Sequence, residues 1–130
     1  MGVKAKDLMI GDWVFAYGQP RQIEIIYDER IQADCIELSE SDFEPIVLTA
    51  KILEKNGFKV PGYLVWDLEC DAEVQLVPET HDLRNPHMGY RLVVKQKVFG
   101  IKDTVICHLK YVHQLQNALK LCEIEKEIII

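Results

Sequence analysis

Apolar and polar side chains alternate between residues 64 and 76. Successive side chains of an extended strand point to opposite faces, so this run predicts extended chain with one buried face and one solvated face. Thirteen residues exceed the usual length of a strand, and we therefore expect a turn or bulge near Cys70 to Ala72. The apolar face comprises Leu64, Trp66, Leu68, Cys70, Ala72, Val74 and Leu76, and the polar face Asp67, Glu69, Asp71, Glu73 and Gln75.

Further runs of β-forming residues precede and follow this segment. Turn-forming residues such as Gly18 and Pro20 separate the earlier runs, which predict a three-stranded meander followed by a polar loop. A later pair of runs around Gly100 predicts a hairpin, and the last residues predict a closing strand. The strands are expected at 13–17, 22–27, 31–38, 90–99, 101–109 and 124–130, and the polar loop at 39–45.

Two segments carry helix signals. Thr49 can cap a short helix that ends at Gly57. Residues 111–122 have the clearest helical periodicity, with an apolar stripe opposite a polar face. Together these patterns predict an α+β fold, either a mostly antiparallel sheet or a small open β-barrel plus a sheet, covered by two short helices. We expect one domain over residues 1–130, with a candidate barrel-like subdomain at 1–45.

Charge and apolar content restrict the partners and the location. Fifteen Lys and Arg residues against 21 Asp and Glu residues give a net charge of -6. That sign disfavours nucleic acid, whose phosphates are bound by cations. No apolar run is long enough for a signal peptide or a membrane span, so we expect a soluble cytoplasmic protein without membrane contact. The four dispersed cysteines are interpreted as buried, reduced thiols.

Catalytic and metal-binding patterns are not found. Alternate carboxylates from Asp67 to Glu73 lie too far apart along a strand to share one cation. His81, His87, Cys107 and His108 match no zinc spacing. We therefore expect a protein that is not an enzyme and has no cofactor, although a small enzyme with a site in loop 79–90 stays a third alternative.

Two sets of residues are candidate interaction sites. Trp13, Phe15 and Tyr17 alternate along the first strand and either fill the core or form an aromatic binding face. His113, Gln116 and Asn117 lie opposite the apolar stripe of the last helix. That polar face is expected to be solvated, or to contact another protein.

Three segments resemble a family of small uncharacterised proteins encoded by gut bacteria and their phages or mobile elements. They are residues 4–12 (KAKDLMIGD), 45–58 (PIVLTAKILEKNGF) and 111–117 (YVHQLQN). The likeness spans nearly the whole chain and implies a fold and a genomic setting without a mechanism. The expected function is a non-enzymatic, protein-interacting accessory role of phage or mobile-element origin. The alternative is a nucleic-acid-associated small barrel that uses the face of Trp13, Phe15 and Tyr17.

Overall fold

Over the residues that the structure describes, the fold consists of two antiparallel sheets and two α-helices. A computed structural model describes residues 3–59, 66–68, 73–78, 89–98, 101–122 and 124–130. The predicted α+β class, with a curled sheet, a second sheet and two helices, is confirmed. The turn expected near Cys70 to Ala72, Gly100 and most of loop 79–90 lie outside the described residues.

The N-terminal sheet is a meander whose fifth strand returns to the first. A short 3₁₀ helix, Ala5–Asp7, precedes it. The chain forms four successive strands, and the fifth pairs with the first through Val14 and Pro45. The inward side chains, among them Val14, Ile23 and Phe43, form a first buried core. The strands are β1 (Trp13–Ala16), β2 (Gln19–Ile26), β3 (Arg30–Ala33), β4 (Ile36–Ser39) and β5 (Phe43–Pro45).

Three expectations for this sheet are wrong. The run 31–38 is two strands rather than one, because Asp34 and Cys35 both adopt positive φ angles, 51° and 63°, and turn the chain. The segment 39–45 is not only a loop, since Phe43 is buried and begins β5. Cys35 is an exposed thiol rather than a buried one, because it lies in the tight turn between β3 and β4.

The second sheet follows the chain without crossovers. Each of its five strands pairs with the next one along the chain. The predicted apolar face of the alternating segment is confirmed at Val74 and Leu76, which are buried against Leu92 and Val94 of the expected hairpin. The strands are β6 (Phe58–Lys59), β7 (Trp66–Leu68), β8 (Glu73–Pro78), β9 (Tyr90–Val98) and β10 (Ile101–Leu109).

Both helices form where the sequence predicts them, the first from its boundary signals and the second from its periodicity. Helix α1 (Ala50–Lys55) begins after Thr49, whose Oγ1 accepts the Ile52 N–H at 3.3 Å. It ends before Gly57, which has a φ of 86° that suits glycine. Helix α2 (Val112–Leu121) buries its predicted stripe, including Leu115 and Leu119, in a second core shared with the second sheet.

The last residues are not the strand that their apolar content suggests. Residues 124–130 form no strand, and side chains hold their backbone instead. Asn56 donates from Nδ2 to the Ile129 carbonyl and accepts the Ile129 N–H at Oδ1, both at 2.7 Å. Ile128 is thereby buried in the second core. One buried amide thus supplies the pair of hydrogen bonds that a neighbouring strand would provide.

Two leucines of α2 provide a matched test of this packing. Leu115 is fully buried, whereas Leu121, on the same helix, is 81% exposed. Leu115→Ala should lower the free energy of unfolding by about 2 to 5 kcal/mol, because burial is lost and a cavity remains. Leu121→Ala should change it by less than about 0.5 kcal/mol. Denaturant unfolding measures both, and equal effects would contradict the assigned helix orientation.

Candidate functional site at the junction of the two sheets

The face of α2 opposite its apolar stripe packs against the N-terminal sheet. Gln116 accepts the backbone N–H of Trp13 at Oε1 and donates from Nε2 to the carbonyl of Gly11, both at 2.9 Å. Lys120, one turn later, donates to the carbonyl of Ile10 at 3.0 Å. One side of the helix therefore packs in the second core, and the other side hydrogen-bonds to the backbone that leads into β1.

The backbone corner that receives these bonds is built around Gly11. Its φ of 93° suits glycine, and its N–H donates to the Ile23 carbonyl at 2.8 Å. Its carbonyl accepts from Gln22 as well as from Gln116. The corner is thus fixed by β2 on one side and by α2 on the other.

Trp13 joins the same junction through its side chain. The indole Nε1 donates to the carbonyl of Ile128 at 2.7 Å, and the ring packs on the second core. Trp13 is therefore half-buried between the two halves of the chain. The sequence left two interpretations of Trp13 open, core packing and an aromatic binding face. In the structure Trp13 packs on a core, although on the second core rather than on the first.

The expectation that the polar face of α2 is solvated is wrong. His113 is 4% exposed and Gln116 is 7% exposed, while Asn117 is half-buried. A polar face at helical spacing looks the same in sequence whether water or protein backbone satisfies it. Here the N-terminal corner covers it, so His113 and Gln116 belong to the interior.

Asp12 is a buried carboxyl at the same corner. Its Oδ2 accepts the Met9 N–H at 2.8 Å, whereas Oδ1 has no hydrogen-bond partner among the described residues. Burial raises the pKa of Asp12 from 3.8 to about 6, although the Met9 N–H, the ammonium of Lys120 and the amide of Asn117 oppose the shift. Asn117 Oδ1 is likewise buried without a partner.

A cleft of about 530 Å³ opens beside this corner, between the N-terminal segment and α2. Its size falls within the usual range for ligand pockets. Asp7, His113 and Asn117 are among the polar residues that line it. Its apolar lining comprises Val3, Pro45, Leu109, Ala118 and Leu121.

His113 is the most deeply buried polar residue of this lining. Its ring stacks on Tyr111, with centroids 5.9 Å apart and planes 9° apart. Burial lowers the pKa of His113, and the nearby carboxylate of Asp7 opposes that shift. The imidazole is therefore neutral at pH 7. Its Nδ1 is buried and has no hydrogen-bond partner among the described residues.

Phe15 and Tyr17 lie apart from the junction. Phe15 points out of β1, away from the first core, and is 42% exposed. Tyr17 lies beyond the end of the strand, in the turn to β2, with a φ of 50° and an exposure of 61%. The structure thus separates the expected aromatic row, with Trp13 at the junction and the other two residues open to solvent.

Several groups at the junction were not identified from sequence. Asp7, Asp12 and Asn56 are isolated polar residues near apolar ones, and only tertiary contacts show what they do. In the part of the chain that the structure describes, no three His, Cys, Asp or Glu side chains are grouped to hold a metal ion. No described helix has the length and apolar character that crossing a membrane requires.

Comparison with known proteins gives no relatives. No protein-family model matches the chain, and neither a curated protein nor a solved structure matches it significantly.

The buried carboxyl of Asp12 gives a pH-dependent prediction. Between about pH 4 and pH 6, Asp12 keeps its proton in the folded state but has lost it in the unfolded state. The contribution of Asp12 to the free energy of unfolding therefore falls as pH rises through this window. Asp12→Asn should remove this contribution. Denaturant unfolding at several pH values measures it as the difference between the variant and the parent protein.

A matched variant separates Asp12 from other titrating groups. Hydrogen bonds from Ser39 lower the pKa of Asp42, and burial lowers the pKa of His113. Both groups act in the opposite direction to Asp12, since each reduces the free energy of unfolding as pH falls. Their contributions cancel in the difference. Asp28→Asn, in the exposed turn between β2 and β3, should follow the parent profile. If Asp12→Asn followed it as well, Asp12 would not hold a proton in the folded state.

Proposed function

We propose that this protein is a non-enzymatic interaction protein that binds a peptide segment of a partner protein on the aromatic face, defined as Phe15, Tyr17 and Pro20. An accessory role of phage or mobile-element origin is part of the proposal, and it rests only on the resemblance of three segments of the chain. The supporting observation is the exposure of Phe15 and Tyr17, at 42% and 61%, on the hairpin formed by β1 and β2.

The aromatic face has a fixed backbone. Phe15 stands opposite Pro20 in the register of β1 and β2, and both residues are exposed. On its other side, Phe15 stands opposite Glu44 of β5. Because β1 is paired on both sides, the face loses little backbone entropy when a ligand binds. Large aromatic side chains on a rigid support are typical anchors of protein interfaces.

The charge of the surroundings favours a peptide over nucleic acid. The chain carries a net charge of -6, and Glu44 lies beside Phe15. A strand of phosphates would be repelled by both. Aromatic and proline side chains instead suit a short extended segment rich in proline, with a basic residue near Glu44.

Selection from a displayed peptide library tests the proposal. The full chain is the bait, and the variant with Phe15→Ala and Tyr17→Ala serves for counter-selection. We expect enriched proline-containing and basic peptides whose affinity falls at least about tenfold in Phe15→Ala, as truncation of an interface anchor typically costs more than 1 kcal/mol.

Tyr27→Ala is the matched control. Tyr27 is 50% exposed but follows the opposite end of β2, so its removal should leave peptide affinity unchanged. A failure to enrich peptides, or equal losses in Phe15→Ala and Tyr27→Ala, would contradict the proposal. Sub-micromolar binding of random single-stranded or duplex oligonucleotides at physiological salt, lost in Phe15→Ala, would favour the nucleic-acid alternative instead.

A further inference from the structure

We propose that the groove that holds residues 124–130 also accepts the same segment from a second copy of this chain, so that two copies exchange these segments. Residues 124–130 are called the closing segment below. The groove is separate from the aromatic face, and the exchange does not depend on peptide binding there. It rests on how the closing segment is held, on how the groove is preformed and on how the segment is joined to α2.

Side chains from distant elements hold the closing segment in the way that a binding protein holds an extended peptide. Asn56, which follows α1, pairs with both the N–H and the carbonyl of Ile129, and the indole of Trp13 donates to the Ile128 carbonyl. Ile128 is buried in the second core, whereas Ile129 is 46% exposed. None of these hydrogen bonds comes from α2, the element to which the segment is joined. The groove therefore recognises an extended backbone and one isoleucine side chain, and the same segment of another copy presents both.

The polar groups of the groove are held in place independently of the closing segment. Nδ2 of Asn56 also donates to the Ile52 carbonyl at 2.8 Å, and the Asn56 backbone N–H donates to the same carbonyl, so α1 fixes the amide. The backbone N–H of Trp13 is bound by Gln116. Groups fixed in advance lose little entropy when a segment binds. An empty groove would leave the buried amide of Asn56 without its partners, which is costly, so release of one segment favours the entry of another.

The link between α2 and the docked residues is short and is held by few contacts. The N–H of Ile124 donates to the Leu119 carbonyl at 2.9 Å, which fixes the start of the closing segment on the helix. The N–H of Lys126 donates back to the Ile124 carbonyl at 3.0 Å and closes a three-residue turn. Glu125 and Glu127, on either side of Lys126, are exposed. Opening this one bond would extend the link away from its own groove, and exchange of an identical element through such a hinge is a low-cost route to a dimer.

A second copy satisfies every contact of the groove. In a two-fold exchange, each contact that one copy loses is regained in the other copy. The two links would run antiparallel past each other at the two-fold axis. With an offset of one residue, Lys126 of one copy would lie beside Glu125 of the other, and symmetry would repeat the pair. The exchanged dimer would therefore keep the contacts of the groove and add two pairs of opposite charge.

Isotope-filtered NMR of a mixture of labelled and unlabelled full-length protein tests the exchange. After equilibration at millimolar concentration, we expect NOEs between the Trp13 indole N–H of labelled copies and the closing segment of unlabelled copies. Sedimentation equilibrium should show a dimer whose fraction rises with protein concentration. Lys126→Pro removes the N–H that closes the turn and should tighten dimerisation by about tenfold or more. Lys126→Ala is the matched control, because it removes the same charge but keeps the N–H, and it should dimerise no more tightly than the parent protein.

A synthetic peptide with the sequence of residues 124–130 identifies the occupant. An excess of this peptide should lower the dimer fraction, whereas the same peptide with Ile128→Ala should not. The backbone amide spectrum verifies that each variant is folded. Parent and Lys126→Pro proteins that both stay monomeric, or dimers without NOEs between copies, would overturn the proposal. Binding of the peptide to a protein that stays monomeric would overturn it as well, and would indicate that a segment of another protein is the occupant.

Discussion

The amide of Gln116 is the contact on which the arrangement of the two sheets depends. It lies on α2, whose opposite face is part of the second core, and it pairs with a backbone donor and a backbone acceptor at the entry to β1. A buried amide is costly unless its groups are paired, and here both are. The geometry of the N-terminal corner is therefore set by a helix more than 100 residues away in sequence.

Other contacts support the same junction from different parts of the chain. Directly after β5, the backbone N–H of Leu48 donates to the Lys110 carbonyl, and that of Val112 donates to the Ile46 carbonyl. Trp13 reaches the C-terminal segment through its indole N–H. The two buried cores are thus connected by backbone pairing, an amide and an indole. The cleft lies where these connections leave the space between the N-terminal segment and α2 unfilled.

Much of the fold could be predicted because its signals are local. The alternation around Val74 and Leu76, the cap at Thr49 and the stripe containing Leu115 each depend on neighbours within one element. Residues 124–130 were misread for the opposite reason: an apolar run does not reveal whether its backbone pairs with a strand or with a side chain such as Asn56. His113 and Gln116 look like solvated helix residues until the N-terminal corner is in place. The cleft joins residues from both ends of the chain, and no local pattern predicts it.

The unfolding of Gln116→Leu tests the role of this amide most directly. Leucine has a similar volume but cannot hydrogen-bond. The variant therefore leaves the backbone N–H of Trp13 unpaired and removes one of the donors to the Gly11 carbonyl. We predict that the free energy of unfolding falls by about 1 to 3 kcal/mol and that the Trp13 amide loses protection from hydrogen exchange. Gln19→Leu, at an exposed position of β2, should be near neutral. A Gln116→Leu variant that matched this control, with Trp13 still protected, would contradict the claim that Gln116 holds the two sheets together.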